Sequence, residues 1–586
     1  MKGIKKMKKT LRLFTAVIFT VFMVMSMSIT AFAVDEFSIT VNRANPDKAE
    51  HTYEAYQIFS VTKISGNDKA VSGVEWGDGV NGTTLLDALQ TDTTVVDTTE
   101  STQMKTLFAG KTTAAGVAMV VDANKEKPAF VKCFAKLVNA NLATAAATGN
   151  MAASADSVKL DVTHKGKGYY FVKDKDKSQD DTAGAYTSYI LKVLGQETID
   201  AKEEVPTLDK KIVDGNNEVS ENTASIGDTV KFRIKTAVPN TSAYNKYFFI
   251  IKDSLCKGLT FVSDSVKVYA NNAAQALIAD KYTVKTTGIG TGETFNIVLK
   301  DAKTYSGQSI VVEYEAFLNK NADITMNGNP NTASLTYSNN PNHEYKGEDE
   351  PSTTTGDDDV MGKTPDVQTK TFTTGLKLVK VDGEDHDKKL QGAKFTISGD
   401  GVKAVVINSE IYKLDNTNGT YYKLKTGGFT ETKATDATRD KYENENEKYT
   451  LITTVEKTTA ANGVNKSVYT GADGIISFVG LTAGEYTITE EDAPEGYNKI
   501  APFTVTITAG YDTTGAFTGW TVKKGTTELT ADTDHLYKFE VENNQGIVLP
   551  GTGGMGTTIF YVVGGLMILC AGALLITKVR MGKKDK

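Results

Sequence analysis

The chain has 586 residues, with 65 Lys+Arg against 72 Asp+Glu, and is 40% hydrophobic. That length implies three or four domains, and that apolar content builds packed cores rather than a disordered tail. The formal net charge is −7; the first 34 residues contribute +6 and the last nine +4, leaving −17 between them. An acidic body argues against nucleic acid and anionic membrane as partners. Three Cys and five His are too few for a disulfide scaffold or a rich metal centre, so neither a metal nor a cofactor is expected.

The N-terminus carries six cations, then an apolar run from Leu13 to Ile29 and a small-x-small site at Ala31-Phe32-Ala33. This predicts a secretory signal peptide over 1–33, with an uncleaved anchor as the alternative. The exported body divides into three units. The first, 34–205, reads as α+β and mostly β. Strand-like Phe37–Val41, Gly168–Val172 and Ser188–Leu191 flank a predicted amphipathic helix at 128–143, where Phe130, Phe134, Val138 and Leu142 recur every four residues. The second, 206–345, has many short alternating stretches separated by Gly, Asn and Asp, which predicts a β-sandwich. The stretch 346–371 is acidic, Thr- and Gly-rich, and reads as a linker. The third unit, 372–545, is again β, with a polar middle over 407–470 that reads as long loops or an insertion. The segment 546–586 ends in an apolar run, Ile559 to Ile576, followed by Lys578, Arg580, Lys583 and Lys584. That run reaches the roughly 17-residue floor for a membrane helix, and the cations belong on the cytoplasmic side.

Two units put a charged residue inside an apolar strand pattern. In Gly375–Asp382, alternation places Leu376, Leu378 and Lys380 on one face; in Tyr486–Glu490, Tyr486, Ile488 and Glu490 share a face. Val541 and Asn543 do so at the end of the unit. A lysine on a core face is costly unless paired or neutral, so a buried salt bridge with a capping asparagine is the bland reading. In the second unit Leu208, Lys210 and Ile212 alternate together, with Lys211 as the fallback lysine; Asp253 lies in the middle and Asn331 near the end. A surface ion pair is the alternative there. The first unit shows no comparable trio. At its exit stands Lys202, in Asp200-Ala201-Lys202-Glu203.

These residues carry a resemblance. Leu549-Pro550-Gly551-Thr552-Gly553, the apolar span and the basic tail together resemble the sorting signal of Gram-positive surface proteins. The resemblance implies cleavage by a sortase between Thr552 and Gly553 and transfer of the Thr552 acyl group to an amine. Tyr486–Tyr497 is similar to the E-box of Gram-positive pilins, and Lys380-Val381-Asp382 with Leu390–Phe395 resembles the opening of a Cna B-type domain. The resemblance implies a spontaneous isopeptide bond from Lys380 to Asn543, promoted by Glu490, with loss of ammonia. The second unit resembles a Cna A-type domain, which implies a Lys210–Asn331 bond promoted by Asp253. Burial suits this chemistry, since it lowers a lysine pKa and raises a carboxyl pKa, and fixed proximity replaces an external enzyme.

The whole chain resembles the major subunit of a sortase-assembled pilus. That implies a structural, non-enzymatic protein, secreted and attached to the cell wall. Its implied partners are pilus and housekeeping sortases, identical and minor pilin subunits, and peptidoglycan, with Lys202 as the inter-subunit acceptor. The family pattern around that lysine is Tyr-Pro-Lys-Asn, which this chain lacks. The alternative is a wall-anchored adhesin that binds a host surface ligand without polymerising. Asp174–Ser178 opens like a calcium loop, but Gln179 stands where glycine is required. No hydrolase or metalloprotease pattern is present.

Overall fold

The computed structural model describes residues 36–581, except 44–46, 48, 66–69, 93–97, 176–177, 179–184, 202–204, 272–279, 342, 344, 352–360, 400–401, 403–405, 426–428, 458–467 and 547–555. The segment 1–33, read above as a signal peptide, together with Lys202, Leu549, Pro550, Thr552 and Gly553, lies outside the described residues.

The first unit holds two sheets and a helical layer. The larger sheet runs Ala70–Trp76, His51–Ser65, Gly168–Asp174, Ser188–Val193, with Ala147–Met151 added to the His51–Ser65 strand. The smaller runs Ser157–Asp161, Ser38–Asn42, Gln196–Asp200, its last pair parallel. The helix predicted at 128–143 runs Pro128–Ala140, with Pro at its first position, where the missing N–H costs nothing, and Leu142 lies beyond its end, bridged to Val80. Three helices precede it: Gly82–Thr91, Thr98–Phe108 and Ala114–Asn124. The first two are Thr-rich and the third carries Gly116 and three valines, all weak helix formers. They are held by side-chain caps at Asn81 and Thr113 and by burial of Leu85, Leu89, Phe108, Val117 and Val121 against Phe130 and Phe134.

The middle unit is a β-sandwich. One sheet runs Asn217–Val219, Leu208–Asp214, Thr229–Ala237, Ser309–Leu318, Leu259–Ala270. The other runs Glu221–Thr223, Val367–Phe372, Asn329–Ser338, Phe249–Leu255, Phe295–Leu299, Tyr282–Lys285. Strand Thr229–Ala237 shows the required alternation, with Val230, Phe232 and Ile234 buried between exposed Thr229, Lys231 and Lys235 and half-buried Arg233. The linker reading of 346–371 fails at its end. Met361–Lys363 and Val367–Phe372 both pair with Asn329–Ser338 inside the sandwich. The stretch lacks apolar residues because Thr369 and Thr371 are buried instead, their hydroxyls donating to Asn331 O and Asn222 Oδ1. The first strand of the third unit therefore begins at Thr374, with only Thr373 between it and the last middle-domain strand.

The third unit packs the sheet Tyr449–Lys457, Val406–Leu414, Ile475–Leu481, Thr374–Asp382, Tyr537–Asn543 against a second sheet. That second sheet runs Val468–Tyr469, Lys394–Ser398, Gly484–Asp492, Phe503–Tyr511, Phe517–Lys524, Thr527–Leu529. The polar middle is not only loop, since Val406–Leu414 and Tyr449–Lys457 pair antiparallel over nine residues. Phe372 stacks on Phe517 across the domain junction at 4.2 Å, and Ile226 N donates to Gly480 O at 3.0 Å. After the described body, Gly556–Met581 is a single helix. Its segment Phe560–Val579 has a mean hydropathy of 2.2 and is unburied, long and apolar enough to cross a membrane.

Candidate functional site

Lys210, Asp253 and Asn331 converge in the middle sandwich. Lys210 projects inward from Leu208–Asp214 in one sheet; Asp253 and Asn331 project from Phe249–Leu255 and Asn329–Ser338 in the facing sheet. All three are fully buried. Lys210 Nζ lies 2.5 Å from Asp253 Oδ2 and 2.7 Å from Asn331 Oδ1. Lys211 faces outward, where it meets Ser220 Oγ at 2.9 Å. The rings of Phe232 and Tyr314 flank the Lys210 ammonium at 5.5 and 5.6 Å. Burial pushes the Lys210 amine down to about 8, outweighing the attraction of Asp253. Burial likewise pushes the Asp253 carboxyl up, against the attraction of Lys210. Both directions favour moving the proton from Nζ to the carboxyl, which leaves a neutral amine beside an amide.

Tyr314 is the residue that sequence reasoning missed. It sits on Ser309–Leu318 among the buried alternate positions Ile310, Val312, Ala316 and Leu318, directly across from Phe232. A tyrosine in a core-facing series must find a partner for its hydroxyl, and that was the legible signal. Its Oη donates to Asp253 Oδ2 at 2.6 Å and accepts from Asn331 Nδ2 at 2.9 Å.

The third unit gathers Lys380, Glu490 and Asn543, all fully buried. Thr374–Asp382 and Tyr537–Asn543 are parallel neighbours with Lys380 opposite Val541, so Asn543 lies diagonally across from Lys380, within reach of a long side chain. Glu490 enters from the facing sheet on Gly484–Asp492. Asn543 Nδ2 donates to Glu490 Oε1 at 2.9 Å, and Ile500 N donates to Oε2 at 2.9 Å. Lys380 Nζ donates to Val541 O at 2.7 Å rather than to the amide. Burial pushes the Lys380 amine down to about 8 against the pull of Glu490. Asn543 Oδ1 is buried with no hydrogen-bond partner among the described residues.

Below this site Tyr497 donates to Asp382 Oδ2 at 2.6 Å, and Lys388 donates to the Tyr497 hydroxyl at 2.8 Å. The Tyr497 hydrogen bond, with backbone and Lys388 donors, holds the Asp382 carboxyl far below its usual range. Asp382 is the register partner of Asn543, so this knot fixes the strand end that carries the amide.

Cys133, Cys256 and Cys570 form no disulfide among the described residues. No group of His, Cys, Asp and Glu able to hold a metal ion occurs among the described residues.

Residues 374–519 match the SpaA family of prealbumin-like fold domains. Across 413 residues, 66% of this chain and 71% of the relative, the sequence is 26% identical to the trypsin-resistant surface T6 protein of Streptococcus pyogenes serotype M6. Similar solved structures include the T6 backbone pilin of that serotype, at 16% identity and a TM-score of 0.45, over 87% of this chain and 99% of that one. Another is the major pilin SpaD of Corynebacterium diphtheriae, at 16% identity and a TM-score of 0.42, over 88% of this chain and 99% of that one. Residues 374–519 of the third unit thus match a SpaA-type prealbumin-like domain, and the chain is similar in sequence to the T6 surface protein over 413 residues.

Proposed function

We propose that this chain is the shaft subunit of a covalent cell-surface pilus, polymerised and anchored by sortase and hardened by two internal Lys–Asn isopeptide bonds. The observation that carries the reading is the pair of buried lysine–carboxyl–asparagine constellations, one in each of two successive β-sandwich domains. Neither is needed to hold an ordinary core together, because burying such charges costs more than an apolar replacement. In each, the neutral lysine amine attacks the asparagine Cγ and ammonia leaves. The bond in the middle domain joins its two sheets across the core; the bond in the third joins neighbouring parallel strands of one sheet. Sortase cleaves after Thr552 and passes that acyl group to Lys202 of the next subunit. The apolar helix holds the precursor in the membrane until cleavage, and the last subunit is passed to peptidoglycan.

Two measurements test this. Intact mass of residues 34–552 is expected to fall short of the sequence by two ammonia molecules, with one restored in Glu490→Gln. A blot of cell-wall extracts is expected to show a ladder that Lys202→Ala abolishes. A full mass removes the internal bonds from the reading. A single wall-attached band, unchanged by Lys202→Ala, replaces the shaft with a non-polymerised adhesin.

A further inference from the structure

The two sites deliver the carboxyl to the departing nitrogen by different routes. In the third domain Asn543 Nδ2 donates straight to Glu490 Oε1 at 2.9 Å. In the middle domain the acid is an aspartate, one methylene shorter, and the phenol of Tyr314 stands between. Its oxygen donates to Asp253 Oδ2 at 2.6 Å and accepts from Asn331 Nδ2 at 2.9 Å, while Asp253 Oδ2 is 2.5 Å from Lys210 Nζ. Amine, carboxyl, hydroxyl and amide nitrogen therefore form one continuous chain of hydrogen bonds. The ring is clamped, stacked on Phe232 at 5.2 Å and edge-on to Phe295 at 5.0 Å. Lys210, Asp253, Asn331 and Tyr314 are each no more than 1% exposed, so bulk water does not reach the departing nitrogen.

We propose that Tyr314 is a catalytic residue of the middle-domain condensation, its hydroxyl carrying the proton from Asp253 to the leaving nitrogen of Asn331. This rests on the Lys210–Asn331 bond proposed above. Asp253 first takes a proton from the Lys210 ammonium. The neutral Nζ then attacks Asn331 Cγ, which becomes tetrahedral. Only then does Nδ2, no longer conjugated with a carbonyl, become basic enough to accept a proton. Tyr314 gives its hydroxyl proton to Nδ2 and takes the Asp253 proton in its place. The Cγ–Nδ2 bond breaks, ammonia leaves, and the Asp253 carboxylate takes the surplus proton from Nζ. One C–N bond forms, one breaks, and Asp253 and Tyr314 end protonated. Burial pushes the Tyr314 hydroxyl well above its usual value, so it works as a relay and not as a base.

The test follows ammonia loss by intact mass after pulsed cell-free synthesis of residues 34–552. Tandem spectra assign each bond to the Lys210 or the Lys380 peptide. Tyr314→Phe keeps the ring and its stacking. It is expected to slow closure of the middle-domain bond by roughly a hundredfold, the scale of general acid–base catalysis, with the third-domain bond closing at its wild-type rate as an internal clock. Equal middle-domain rates in Tyr314→Phe and wild type overturn the role of Tyr314 while leaving the bond itself standing. A wild-type chain that never forms the Lys210–Asn331 bond overturns the underlying reading as well. Should Tyr314→Phe not fold, fluorotyrosines of graded acidity at position 314 replace it. A middle-domain rate that tracks phenol acidity supports the relay, and an indifferent rate overturns it.

Discussion

At the scale of single residues, Asp253 has the clearest consequence. Asparagine there keeps the shape of the side chain but accepts no proton, so Asp253→Asn is expected to leave the Lys210–Asn331 bond unformed. The two residues are 121 positions apart. Removing a closure of that length costs about 5 kcal/mol on the entropic model of cross-links, or roughly 10–20 °C in the melting of a domain this size. Calorimetry of the variant checks this, and an unchanged middle-domain transition refutes it. His51 gives a second prediction. It is buried between Asp174 and Asp47, each 2.8 Å from a ring nitrogen. Burial alone lowers its pKa, but the hydrogen bonds to Asp174 and Asp47 outweigh it and raise the group to about 9. A raised folded pKa means stability that is fully present below about 6.5 and lost as pH climbs through 9, about 3 kcal/mol in all. The melting advantage of wild type over His51→Gln is therefore expected to shrink from pH 6.5 to 9.5; a constant gap contradicts it. Lys210, Lys380 and Glu490 were legible because period-two alternation shows a charge on a core face. For Tyr314 only the need for some partner was legible, and for His51 the second carboxylate was not, since Asp253, Asn331 and Asp174 come from other strands.

Among the elements, the joint between middle and third domains is the informative one. A single residue, Thr373, fully buried, separates strand Val367–Phe372 from Thr374–Asp382. Gly480 sits beside it with φ +91, and a Cβ there would run into the Ile226 side chain. Gly480→Ala is expected to cost about 1–3 kcal/mol through backbone strain and crowding, and to separate two melting transitions that wild type shows closer together. Coincident, unshifted transitions in the variant count against this. The joint was hidden in the sequence because acidic, Thr-rich composition marks linkers on average. Here threonine hydroxyls are satisfied by Asn222 and Asn331, so strand Val367–Phe372 needs few apolar residues to be buried. Similarly, helix Pro128–Ala140 announced itself by its spacing, whereas Thr98–Phe108 is helical because Phe108 packs on Phe130 and Phe134.

For the whole molecule, the two proposed bonds act in series along a chain whose middle and third domains meet without a spacer. Opening either domain far enough for proteolysis then requires more than breaking strand hydrogen bonds. The Asp253→Asn, Glu490→Gln double variant is expected to be digested by trypsin roughly a hundredfold faster than wild type at 37 °C, and equal half-lives refute the hardening role. The sequence by itself determined the mostly β class, the long apolar helix near the end and the inward-facing charges Lys210, Lys380 and Glu490, because each is written in local periodicity or composition. Only the tertiary structure decided that Lys210 rather than Lys211 meets Asp253 and Asn331, that Tyr314 joins them, and that 361–372 belongs to the middle sandwich. Those facts depend on which strands pair and which sheets face, and such contacts, spanning 17 to 121 positions around Lys210, Asp253, Tyr314 and Asn331, leave no mark in the neighbourhood of either partner.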